Sequence, residues 1–197
     1  MTLNNIIEIT GVVSAVIYTW LELKQRSAMW IVGILSSLMY VVVTFQSDLY
    51  AYMVLYIYYV AISVYGLYQW KFGARSTSQP EKELPVSHIR QRHIIVLLPI
   101  TIGLSAALYY VLGKYADAPM PAVEAAGTAL SIVATWMLTK KLLEHWLVWI
   151  VADSISAALF FCADRYPSTA LSIFYAAIAV YGYFKWRGSI ASYGDPP

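Results

Sequence analysis

The chain has 197 residues, 60% hydrophobic and only 12% charged, with a mean hydropathy of +0.61. Soluble domains carry about 25% charged residues, so the composition excludes an ordinary water-soluble enzyme and points to a multi-pass membrane protein. The net charge of +2 gives no reason to expect nucleic acid as a partner, and the single cysteine, Cys162, excludes an intrachain disulfide.

A bilayer core takes about 20 mostly apolar residues per helix, and seven segments meet that requirement: about 4–23, 28–46, 49–71, 94–113, 121–140, 144–162 and 166–187. The first lacks a basic leader and carries Glu8, so it reads as a retained helix rather than a cleaved signal. The second carries Trp30 and Tyr40. The third holds seven tyrosines, more than an interfacial belt needs, and helical spacing puts Tyr52, Tyr56, Tyr59 and Ser63 on one face. Gly73–His93 is the one long polar stretch and reads as a flexible cytoplasmic linker. The fourth segment is a connector. The fifth begins after Pro119 and Pro121 and carries Glu124 in its first turn, where the helix dipole favours a carboxylate. In the sixth, Trp146, Trp149 and Asp153 are spaced by three and four and share a face. The seventh carries Tyr175.

Residues 8–71 align with 124–187 without a gap, at an offset of 116, and about 20 of roughly 64 aligned positions are identical. Among them are Gly11/Gly127, Trp30/Trp146, Asp48/Asp164, Gly66/Gly182 and Trp70/Trp186. A repeat inside a membrane chain predicts a transporter with its substrate site between the halves. The expected organisation is a first three-helix repeat over 4–72, a linker over 73–93, a connector helix over 94–114 and a second repeat over 121–187. Four crossings separate the repeat starts, so both halves run in the same direction. With the N-terminus outside, eleven Lys and Arg fall on the inner side and two, Lys114 and Arg165, on the outer side; the positive-inside rule then gives N-terminus out and C-terminus in. The fold class expected is an all-α membrane protein of seven transmembrane helices.

Carboxylates and clustered aromatics within a membrane mark ligand paths or costly structural contacts. The candidate substrate-binding residues are Trp30, Tyr40, Tyr52, Tyr56, Tyr59, Ser63, Glu124, Trp146, Trp149, Asp153 and Tyr175. An aromatic wall ending in the Asp153 anion suits a flat cation, since each ring face attracts positive charge by roughly 0.5–2 kcal/mol. The structural alternative is an interfacial tryptophan belt with Asp153 bonded to a neighbouring helix. No phosphate-binding glycine loop, catalytic triad or metal-ligand spacing is present in the sequence, so neither a cofactor nor a metal is expected. An embedded acid–base enzyme using Glu124 and Asp153 lacks any nucleophile in a recognisable arrangement.

The runs Trp30–Tyr40, Leu49-Tyr50-Ala51, Tyr65–Trp70, Leu130–Ala134, Glu144–Trp149 and Gly182–Trp186 resemble the Pnu family of bacterial vitamin transporters, over nearly the whole chain. The resemblance implies a 3+1+3 parallel-repeat bundle like that of the SWEET sugar carriers. It also implies a homotrimer in the bacterial inner membrane and facilitated diffusion, with a cytosolic kinase trapping the vitamin. Where nicotinamide riboside carriers of the family tend to have Gln on helix three and Asn after the Trp-x-x-Trp motif, this chain has Tyr56 and Asp153. That departure points to a cationic two-ring vitamin, thiamine, with nicotinamide riboside and a sugar as the alternatives.

Overall fold

Hydrocarbon offers no partner to a backbone amide or carbonyl, so an apolar span satisfies its own hydrogen bonds by coiling into a helix. Each apolar segment does so. The structure, a computed structural model, describes residues 3–46, 50–73, 84–115 and 120–192. Its helices are α1 (Leu3–Leu23), α2 (Ala28–Gln46), α3 (Tyr50–Phe72), α4 (Gln91–Tyr115), α5 (Pro121–Thr139), α6 (His145–Cys162) and α7 (Tyr166–Ser192). Five of them, α2, α4, α5, α6 and α7, are long and apolar enough to cross a membrane. Pro121 opens α5, where its missing N–H costs nothing, and Pro99 lies inside α4.

The chain forms two units, residues 1–85 and 86–197. In the first, α2 lies against both α1 and α3; in the second, α4, α5, α6 and α7 each pack on the next. The connector thus associates with the second repeat through Leu97, which together with Ile89 of the segment before α4 covers a core of Val133, Met137 and Leu142.

The repeat is written into the backbone. The turn between α1 and α2 places Gln25 at φ 57°, and the turn between α5 and α6 places its counterpart Lys141 at φ 48°. Their hydrogen bonds correspond one by one. Gln25 N–H donates to Glu22 O (2.8 Å) and Arg26 N–H to Leu21 O (2.9 Å); Lys141 N–H donates to Leu138 O (3.0 Å) and Leu142 N–H to Met137 O (3.2 Å). This is the Schellman closure, in which a left-handed residue turns the chain and satisfies the last carbonyls of the helix.

Beyond each turn lies a buried tryptophan pair. Trp30 meets Trp70 edge to face at 5.7 Å and 90°, and Trp146 meets Trp186 at 5.6 Å and 89°. All four are at most 2% exposed. Each inner ring rests on a glycine of the third helix of its repeat: a Cβ on Gly66 would lie 2.5 Å from Trp30, and one on Gly182 2.7 Å from Trp146. Small residues at such crossings let two helices approach where no hydrophobic effect drives them together.

The expected flexible linker differs in its second part. Residues 74–83 lie outside the described residues, but 84–90 are held by hydrogen bonds. Ser87 N–H donates to Lys141 O (3.1 Å) and Leu143 N–H to Ser87 O (2.9 Å). Glu144 accepts from Ile89 N–H (2.8 Å) and pairs with His88 Nδ1 (2.8 Å). The segment is a strap across the α5–α6 turn, and α4 starts at Gln91, a turn earlier than its apolar run.

Candidate functional site

In the first unit the candidates fall into two groups. Tyr40 of α2 stacks on Tyr56 of α3 at 4.9 Å and 14°, and Tyr59 joins Tyr56 at 6.3 Å. The hydroxyl of Tyr40 abuts Gly11 of α1, so one ring touches three helices. Trp30 and Ser63 lie in packing instead. Trp30 is enclosed by Trp70, Gly66 and the edge of Tyr18, and Ser63, 5% exposed, rests with Tyr18 over Gly33. Tyr52 belongs to α3, but its side chain is outside the described residues, as is that of Glu8.

In the second unit α6 divides its face. Trp146 is 2% exposed and committed to Gly182, Trp186 and the fully buried His145 ring 4.5 Å away. His145 Nδ1 must carry a proton, because it lies 2.7 Å from Leu142 O, which only accepts. One and two turns further along, Trp149 and Asp153 are half-buried. Tyr175 of α7 is likewise half-buried, and α6 and α7 pack on each other. Glu124 is half-buried in the first turn of α5.

The offset of 116 gives the two units the same positions with different chemistry. Asp153 stands where the first repeat has Ser37, Tyr175 where it has Tyr59, and Trp149 where it has Gly33. The stacked Tyr40 and Tyr56 correspond to Ser156 and Ser172. Ser37 and Ser172 are 8% and 7% exposed; neither was among the candidate binding residues.

Charge at membrane depth is one-sided. Helices α1, α2, α5 and α6 contain no Lys or Arg, and the basic residues of α3, α4 and α7 lie toward helix ends. Among the described residues, no three His, Cys, Asp or Glu side chains gather as metal ligands.

The family model described as "Nicotinamide mononucleotide transporter" matches residues 5–188. The chain belongs to this family. It is similar to the nicotinamide riboside transporter PnuC of Escherichia coli, with 24% identity over 96% of this chain and 88% of the relative. It is also similar to PnuC of Neisseria mucosa, with 21% identity over 93% and 71%. In fold it matches the crystal structure of the vitamin B3 transporter PnuC with a TM-score of 0.68, at 19% identity, over 93% of this chain and 81% of that one. The chain is therefore a multi-pass inner-membrane transporter of the PnuC type. These relatives carry the name of nicotinamide riboside and lend no support to thiamine, the first expectation from the sequence.

Proposed function

We propose that the chain carries nicotinamide riboside, an unphosphorylated organic cation, across the bacterial inner membrane by facilitated diffusion. The observation that carries this reading is Asp153, a carboxyl residue half-buried within α6, a helix with no Lys or Arg. An ionisable side chain inside an apolar span marks a ligand path, and a pyridinium has the sign that a carboxylate favours. The phosphate of a mononucleotide would instead need cationic donors, which α6 and α5 lack. Within the second unit, Trp149 and Tyr175 supply ring faces for a flat cation. The sequence-implied 3+1+3 arrangement and homotrimer form part of the same proposal.

Thiamine is a second reading, favoured by the same carboxylate and by the ring that Tyr56 presents where an amide is usual in riboside carriers. Uptake into vesicles reconstituted with the purified chain separates the readings. Saturable entry of the riboside, with thiamine and the mononucleotide excluded, is the expected outcome. Entry of thiamine alone replaces the first reading by the second, and entry of the mononucleotide refutes the charge argument. Asp153→Asn is expected to lower riboside affinity about tenfold, or ~1.4 kcal/mol, while the variant unfolds at an unchanged temperature.

A further inference from the structure

Alternating access asks two parts of a carrier to turn relative to each other while each stays rigid, so some short stretch of backbone must bend. The chain passes from its first unit to its second between Pro85 and Val86. On both sides of that crossing the backbone is fastened. Leu84 N–H donates to Trp70 O (3.1 Å), near the end of α3, and Ser87 N–H donates to Lys141 O (3.1 Å), in the α5–α6 turn. Both anchors belong to the duplicated frame. Trp70 is fully buried in the tryptophan pair of the first repeat. Lys141, 2% exposed, is the left-handed residue that turns the chain in the second.

Past Ser87 the fastening continues. Leu143 N–H returns to Ser87 O, Ile89 N–H and the His88 ring go to Glu144, and Leu97 of α4 covers Val133, Met137 and Leu142. The strap and α4 are thereby joined to the second repeat. Between the two fastenings lie two residues. Pro85 has no N–H to give, and neither Pro85 nor Val86 exchanges a hydrogen bond with any described residue. The proline ring locks φ at 85 and keeps Leu84 extended. The torsions that can still turn are ψ of Pro85 and φ and ψ of Val86.

We propose that Pro85-Val86 is the hinge of the transport cycle, about which the strap and α4–α7 turn as a single body without the strap coming undone. This rests on the carrier reading above. The connector helix then belongs to the moving half and is not a passive tether between two three-helix halves.

Val86→Pro tests the hinge, because a second proline fixes φ at 86 and confines ψ at 85 while removing no hydrogen bond to a described residue. The assay is uptake into reconstituted vesicles of whichever cation the wild type takes up, nicotinamide riboside or thiamine. Val86→Pro is expected to slow uptake about tenfold, with the calorimetric affinity and the unfolding temperature of the wild type. Arg90→Pro sets the same constraint inside the fastened strap, at another N–H that donates to no described residue, and is expected to leave the rate unchanged. A wild-type rate in Val86→Pro overturns the hinge. Earlier unfolding of that variant also overturns it, since the link would then be committed to one packed conformation. Equal slowing in both variants shows that the strap itself bends and overturns the single moving body. So does hydrogen exchange at the Ser87 and Ile89 amides of the wild type that quickens when the cation is added. Wild-type vesicles that take up neither cation overturn the carrier reading, and the hinge with it.

Discussion

At Gly66 and Gly182 a single hydrogen atom decides whether two helices can meet. An added methyl would stand 2.5 Å and 2.7 Å from the indoles of Trp30 and Trp146, which are enclosed on their other sides. Gly66→Ala and Gly182→Ala are therefore each expected to cost about 1–3 kcal/mol, read as an earlier thermal unfolding of the detergent-solubilised protein. Gly103→Ala, with open space around its Cβ, serves as the neutral control; equal unfolding temperatures for all three would show that the rings have room to yield. The same residues show where sequence reading stopped. Helical spacing puts Trp146, Trp149 and Asp153 on one side of α6, but spacing does not say which part of that side meets a neighbouring helix. Trp146 meets Gly182 and Trp186, and only Trp149 and Asp153 remain half-open. The duplicated glycines held that information, yet on the page of the sequence they are two small residues among many.

Among the elements, the helices were the legible part. Apolar runs bounded by charged or turn residues placed all seven within a few residues of their observed ends, because in hydrocarbon the apolar run and the hydrogen-bonded helix must coincide. The strap was not legible. Ser87, His88 and Ile89 look like any polar linker, and their partners lie more than fifty residues away at Lys141, Leu143 and Glu144. Pairing of backbone with backbone leaves no mark in composition. Glu144→Ala removes the acceptor of both Ile89 N–H and His88. Its expected effect is faster hydrogen exchange at the Ile89 amide, with a stability loss of about 1–3 kcal/mol for the orphaned donor. Exchange at the Ile89 amide that matches wild type would mean that the Ser87 bridge holds the strap alone.

For the molecule as a whole, the duplicated turns and tryptophan pairs show what both copies kept, and positions 37/153, 40/156 and 56/172 show what they did not. Packing was retained; polar and aromatic chemistry diverged. That pattern fits a carrier, which needs two similar frames and one set of ligand contacts. The orientation expected from the basic residues can be tested through Cys162, the chain's single cysteine, exposed at the end of α6. With the N-terminus outside, α6 ends on the outer face. A membrane-impermeant maleimide is then expected to label intact cells producing the wild type and to spare Cys162→Ser. Labelling that requires permeabilised cells would invert the topology.

The buried tryptophan pairs have an optical consequence. Of seven indoles, Trp30, Trp70, Trp146 and Trp186 are shut away from solvent, so they contribute a blue-shifted emission. Trp20 projects outward beneath the Lys24 ammonium, and Trp136 is packed beside Met137 and Leu142. Under the proposed reading, substrate quenches Trp149, on the same helix face as Asp153, against the steady background of the four buried indoles.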